Sequence, residues 1–176
     1  MEKHVVKPLI AAEEVEKRIR ELAEQINADY AGRTVHLVGI LKGSVPFLCS
    51  LARHLTVPVT MDFMSCSSYG SGTTSSGAVR LNKDLDESIE GRDVLLVEDI
   101  IDTGHTLSYL VNLLQDRKPA SLKLATLLNK PSRRTCPVDV DYTCFMIDDV
   151  FVVGYGLDYD QIYRNLNYVG YVEFVK

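Results

Sequence analysis

Short apolar runs rich in β-branched residues alternate with stretches of helical spacing, and this alternation narrows the possible folds more than any other feature of the chain. Residues 35–41 (VHLVGIL) have the composition of a buried strand. KGSVPF then leads into a helical stretch with Phe47, Leu51 and Leu55 at i, i+4 and i+8. Residues 57–64 return to a strand pattern, and residues 93–101 (DVLLVEDII) are a third strand candidate. A helix starting near Thr103 puts Leu107, Leu110 and Leu114 on one face. Residues 121–128, 142–147 and 151–155 are further strand candidates. Ahead of them all, residues 10–30 predict an amphipathic helix, with Val15, Ile19, Leu22 and Ile26 at 4-3-4 spacing and Gly32 as a stop signal. Strands and helices in this order predict an α/β fold: a mostly parallel, twisted sheet flanked by helices. One segment breaks the pattern. Residues 67–77 (SSYGSGTTSSG) hold only Ser, Thr, Gly and one Tyr, and residues 79–82 read as the returning arm of a hairpin.

The bulk numbers bound the function. A length of 176 residues fits one domain, and 46% apolar residues can fill a sizeable core. The net charge of -5 argues against nucleic acid or an anionic membrane as main partner. It does not exclude a small anionic substrate, because local cations or a metal override the average. Cys49, Cys66, Cys136 and Cys144 show no C-x-x-C or zinc-finger spacing and read as buried, reduced thiols. Charges at Glu2 and Lys3 and the lack of an apolar h-region argue against a signal peptide. No apolar run approaches the ~20 residues of a membrane span. A soluble cytoplasmic protein is the expectation.

The densest chemistry lies in residues 94–106, VLLVEDIIDTGHT. An apolar strand ends in two acids, Glu98 and Asp99; a third, Asp102, precedes Thr103, Gly104, His105 and Thr106 at a helix start. In open α/β sheets, ligands sit beyond the carboxyl ends of the strands. A helix N-terminus offers free N–H groups and partial positive charge to a phosphate. The Thr103 and Thr106 hydroxyls add donors, and Gly104 permits close approach. The acids one turn earlier suit sugar hydroxyls and a hard cation such as magnesium. An Asp at a helix start is commonly just a cap, but two acids closing an apolar strand and followed by D-T-G-x-T favour the ligand site. Neither G-x-G-x-x-G nor G-x-x-x-x-G-K-[ST] is present.

This segment resembles the phosphoribosyl pyrophosphate motif of type I phosphoribosyltransferases, and the similarity extends from about residue 35 to about residue 172. The resemblance implies that family's fold as one domain over residues 1–176. Its core would be about 33–147 with a mobile lid at 67–77, and its small hood would come from the N-terminal segment and about 148–176. It implies that Glu98 and Asp99 bind the ribose hydroxyls directly or through magnesium. The loop from Asp102 through Thr103, Gly104, His105 and Thr106 would hold the 5-phosphate, although His105, at the variable position, reads more simply as an exposed side chain. Asp102 would be the general base at the purine N7. Leu41-Lys42-Gly43-Ser44, a weak anion-binding signal alone, corresponds to the pyrophosphate loop, with Lys42 and Gly43 as contacts and often a non-proline cis peptide.

Ser68 and Tyr69 match the closing-loop pair. Lys130, after Leu128-Asn129, matches the Lys that reaches the purine O6. The run 151–159 (FVVGYGLDY) matches the base-stacking segment: Phe151 over the ring, the Val152 backbone on the exocyclic edge and Asp158 on a second magnesium. Arg164 would bind pyrophosphate. Without the resemblance, Phe151 would read as core and Lys130 as a surface charge.

The implied reaction moves the 5-phosphoribosyl group from phosphoribosyl pyrophosphate to hypoxanthine, and to guanine, giving IMP or GMP and pyrophosphate. It needs magnesium and no nucleic-acid or membrane partner, and the family suggests a homodimer or homotetramer. Three other readings compete. A regulator of this fold that senses nucleotides and binds nucleic acid should show a basic stripe, but no Lys/Arg run here exceeds Arg133-Arg134. A non-catalytic nucleotide-binding module would not need Lys130 and the 151–158 segment together. A pyrimidine or orotate transferase is the nearest rival within the enzymes, and the FVVGYGLD run favours 6-oxopurines.

Overall fold

The computed structural model describes residues 2–68 and 79–175. The elements are β1 (His4–Ile10), α1 (Ala12–Asp29), β2 (Val35–Ile40), α2 (Val45–His54), β3 (Val59–Ser68), β4 (Val79–Lys83), β5 (Asp93–Ile101), α3 (His105–Gln115), β6 (Ser121–Asn129), β7 (Tyr142–Met146), β8 (Val152–Val153) and β9 (Val169–Phe174). Six strands form the main sheet in the order β4-β3-β2-β5-β6-β7. β3, β2, β5, β6 and β7 run parallel, and β4 is antiparallel to β3.

Burial follows from this order. β2 lies between β3 and β5 and is buried at every position, which explains its unbroken apolar run. Its side chains alternate between faces: Val35 and Leu37 join the core under α1 and α2, and Val38 and Ile40 join the core under α3. On α1, Val15, Ile19, Leu22 and Ile26 are fully buried. Burying side chains of this size is worth roughly 1.5–3 kcal/mol each, so this stripe, rather than helix propensity, holds α1 in place.

The topology also locates the site. After β2 the chain crosses through α2 to β3 on one side; β5 then starts on the other side of β2 and crosses through α3 to β6. The two helices cover opposite faces, so a crevice opens between the carboxyl ends of β2 and β5. The loops beginning at Leu41 and Asp102 border it.

A second, antiparallel sheet, β1-β9-β8, joins the two ends of the chain, with His4 opposite Phe174 and Val152 opposite Tyr171. Val152, Tyr155, Leu157 and Val169 pack into the α1–α2 core, fixing this small sheet against the large one.

Several expectations need correcting. The strand expected over 151–155 shrinks to Val152–Val153, ending where Gly154 at φ 89° and Tyr155 at φ 48° turn the chain, and it pairs with β9 outside the main sheet. Ile10 ends β1 instead of starting the helix. The strand expected over 57–64 begins at Val59 and continues to Ser68. β1 and β9 were not anticipated. The cysteines are all free, but Cys144 alone is buried and Cys49 is exposed. The hairpin arm after residue 78 is present, with the Ser68 backbone paired to Val79. Most of the expected lid, including Tyr69, lies outside the described residues.

Candidate active site

Consecutive residues of a strand face opposite sides of a sheet, and Glu98 and Asp99 therefore straddle the carboxyl edge of β5. Glu98 lines a pocket of about 140 Å³ with Asp102, Thr103, Gly104 and Thr106. Asp99 turns toward the loop after β2, so close to Gly43 that a Cβ there would lie 1.6 Å from Asp99 Oδ2. The Ile100 N–H donates to Asp99 Oδ1 at 2.7 Å, and the Asp99 N–H donates to Glu98 Oε1 at 3.1 Å. Burial, then repulsion from Asp99, pushes the Glu98 carboxyl well above the usual carboxylate range. Burial likewise raises Asp99.

The pocket ends at the start of α3. Gly104 is the N-cap, at φ 90°, and no side chain caps the helix, so Asp102 is not a capping residue. The first helical bond runs from the Ser108 N–H to Gly104 O at 2.8 Å. The amides of His105, Thr106 and Leu107 precede that ladder and have no intrahelical partner. Behind the loop, Thr103 O accepts the Thr135 and Cys136 N–H groups at 3.1 and 3.0 Å. Arg134 Nε donates to Asp102 O at 3.1 Å. Gly104 is held against this segment so tightly that a Cβ would stand 2.5 Å from Cys136 O. The His105 side chain is exposed, and its ring bonds Thr135 Oγ1 at 3.1 Å.

The loop after β2 contains the Leu41-Lys42 peptide in the cis form. Gly43 is clamped between Asp99 and Gly156, where a Cβ on Gly156 would fall 1.9 Å from Gly43 O. Lys42 Nζ donates to Gln161 Oε1 at 3.2 Å. Arg164 Nη1 donates to Gly156 O at 2.8 Å, and Arg164 Nη2 pairs with Asp158 Oδ1 at 2.7 Å. Lys42, Gly43, Asp99, Asp158 and Arg164 therefore form one connected cluster.

Lys130 closes the third side. Its side chain is buried, and Nζ donates to Val150 O at 2.6 Å with Asp149 Oδ1 at 3.7 Å. Arg133 Nε lies 3.7 Å from the same Asp149 oxygen and 3.2 Å from Asp102 Oδ1. A chain of alternating charge thus joins Lys130 to Asp102. Phe151 is 48% exposed and meets Tyr159 edge-on at 5.5 Å, and Val152 is buried in β8. Of the expected site residues, the side chain of Ser68 and all of Tyr69 are not described.

A family profile for the phosphoribosyl transferase domain matches residues 6–160. The chain belongs to the phosphoribosyl transferase family. It is 50% identical over 171 residues to the hypoxanthine-guanine phosphoribosyltransferase of Bacillus subtilis (strain 168), covering 97% of this chain and 95% of that one. It is 51% identical over 170 residues to the bifunctional protein TilS/HprT of Listeria innocua, where the match covers 97% of this chain but spans 26% of the longer protein. A crystal structure of a hypoxanthine-guanine phosphoribosyltransferase from Bacillus anthracis superposes with a TM-score of 0.92 at 44% identity, covering 96% of this chain and 100% of that one.

The phosphoribosyl transferase site fits a hard divalent cation in part. Two adjacent, desolvated carboxylates, Glu98 and Asp99, gain from a positive charge beside them. Among the described residues no cluster of three or more His, Cys, Asp or Glu gathers to cage a metal. An ion here would draw its remaining oxygens from substrate and water, as magnesium commonly does. Among the described residues no helix is long and apolar enough to cross a membrane.

Sequence reasoning missed Arg133, Arg134, Thr135, Asp149 and Gln161. The first three follow Lys130 within five residues, in a loop leaving the carboxyl edge, and that position was the available signal. Gln161 carried none.

Proposed function

We propose that this phosphoribosyl transferase moves the 5-phosphoribosyl group from phosphoribosyl pyrophosphate to hypoxanthine, and to guanine, releasing pyrophosphate and forming IMP or GMP in purine salvage. The observation that carries the reading is the junction of three clusters at one sheet edge: the pocket before α3, the Lys42–Arg164 cluster and the Lys130–Asp102 charge chain. A helix start with free amides, a pair of converging cations and a buried lysine beside an exposed aromatic ring suit a phosphate, a second anionic group and a base. Relatives of near-equal length that are named for this activity support it.

In this reading the amides of residues 104–107 and the Thr103 and Thr106 hydroxyls hold the 5-phosphate. Glu98 and Asp99 face the ribose hydroxyls. Lys42, the Gly43 backbone and Arg164 hold the pyrophosphate. Phe151 stacks on the purine, the Val152 backbone reads its exocyclic edge and Lys130 stabilises negative charge on O6. Asp102 parts from Arg133 and accepts the N7 proton as the purine nitrogen attacks the anomeric carbon, a general-base contribution of typically ~10²–10⁴ in rate. Glu98 and Asp99 on the ribose side, and Asp158 on the pyrophosphate side, would hold magnesium, whose charge would offset that of the departing pyrophosphate.

The small sheet serves as the hood of a single unit covering residues 1–176. The family resemblance extends the proposal to a cytoplasmic homodimer or homotetramer without a nucleic-acid partner; light scattering checks the assembly. The test of function is a spectrophotometric assay with magnesium, phosphoribosyl pyrophosphate and each base in turn. Nucleotide formation with hypoxanthine is expected; none with any purine would overturn the reading.

A further inference from the structure

We propose that Gln161 is a positioning residue of the pyrophosphate subsite: its carboxamide oxygen is the internal acceptor that an incoming pyrophosphate displaces. The proposal rests on the reading of Lys42 and Arg164 as pyrophosphate contacts.

Lys42 Nζ donates to Gln161 Oε1 at 3.2 Å, and Arg164 Nη2 reaches the same oxygen at 3.4 Å. The two cations come from distant parts of the chain, and both are donors only. They converge on a single neutral oxygen, and both lone pairs of that oxygen are engaged. The Gln161 backbone is itself fixed: its N–H donates to Asp158 Oδ2 at 2.8 Å, and it takes φ 67°, a conformation disfavoured for a residue with a side chain. Asp158 in turn pairs with Arg164. Two carboxylates, Asp158 and Asp99, belong to the same cluster as the two cations, and Gln161 adds no charge of its own.

Arg164 gives a second indication. Gly156 O holds its Nη1, while Nε is buried with no hydrogen-bond partner among the described residues. Buried polar groups are normally satisfied, yet this guanidinium keeps one donor unmet and is not saturated by Gly156, Asp158 and Gln161. An anionic oxygen makes charge-assisted bonds roughly twice as strong as those of a carboxamide. Pyrophosphate therefore wins the exchange, but its affinity is lowered by what Gln161 already holds.

The sign of the effect should reverse with the side chain. In Gln161→Ala the competitor is gone, and pyrophosphate should bind more tightly. In Gln161→Glu the competitor is a carboxylate, and pyrophosphate should bind more weakly. Each change should be on the order of 3–10-fold. The test is calorimetric titration of the full chain with magnesium pyrophosphate, together with KM for phosphoribosyl pyrophosphate and for hypoxanthine, on both variants and on Lys42→Ala.

The proposal expects opposite shifts for the two Gln161 variants in pyrophosphate affinity and in KM for phosphoribosyl pyrophosphate, with KM for hypoxanthine unchanged. Shifts of the same sign, no shift, or an equal shift in the hypoxanthine KM would overturn it while Lys42→Ala still weakens pyrophosphate. If Lys42→Ala leaves pyrophosphate binding untouched, the subsite assignment itself is wrong and the role of Gln161 falls with it.

Discussion

Replacing Gly43 by Ala should abolish most of the activity while leaving a folded protein. The added Cβ would lie 1.6 Å from Asp99 Oδ2 and 2.6 Å from its Cγ, where ordinary contact begins at 3.4 Å. Relief therefore needs a displacement of roughly 1.8 Å in the carboxylate or the loop. The loop is confined by the close approach of Gly43 O to Gly156, and rotation of Asp99 breaks its 2.7 Å bond from the Ile100 N–H. Either movement shifts the ribose-facing acid relative to the pyrophosphate loop. Misplacement by ~1 Å costs on the order of 10²-fold in rate, whereas overpacking costs stability of ~1–3 kcal/mol.

Gly32→Ala is the control. Gly32 has nothing within 4 Å of its Cβ position but sits at φ 74°, so Ala there costs ~1–2 kcal/mol of backbone strain away from the site. Steady-state kcat/KM for phosphoribosyl pyrophosphate and thermal midpoints, measured on both, separate the effects. The reasoning fails if Gly43→Ala stays within about threefold of the parent in kcat/KM, or if Gly32→Ala is equally inactive.

Asp102→Asn should lower kcat by ~10²–10⁴ with little change in KM for phosphoribosyl pyrophosphate; unchanged turnover in the nucleotide-forming assay would remove Asp102 from the chemistry. Lys130→Met should raise KM for hypoxanthine more than KM for phosphoribosyl pyrophosphate, because Nζ lies beside Val150 O and Asp149 on the base side; the reverse ranking would contradict that placement. Burial, with help from Arg92, lowers the His36 pKa, so the folded chain resists protonating it. Stability tied to a neutral His36 is fully present above the unfolded value of ~6.5 and drains away as pH falls through the lower folded value. Thermal scans over pH should show His36→Gln losing less stability than the parent on acidification, and parallel curves would refute this.

The phosphate pocket was legible in the sequence because its parts are contiguous: strand, acids, turn and helix start lie within residues 94–106, and local patterning sets their geometry. The parallel sheet was legible for a related reason, since strands buried on both faces leave unbroken apolar runs. The small sheet was not. β1 has a mixed burial pattern and pairs with a strand more than 150 residues away, and nothing local announces that partnership. The contacts of Arg133, Asp149 and Gln161 were hidden because long side chains choose partners only after separate loops converge. The expected strand at 151–155 stops at Val153, where Gly154 and Tyr155 take positive φ; the apolar run hid a turn that Gly154 and Gly156 could have signalled.

The most direct test is a crystal structure of the protein with IMP bound. The 5-phosphate should occupy the pocket before α3, hydrogen-bonded to amides of residues 104–107, with Glu98 and Asp99 at the ribose and the base between Phe151 and Lys130. A phosphate bound elsewhere, with Asp102 still paired to Arg133, would contradict the account.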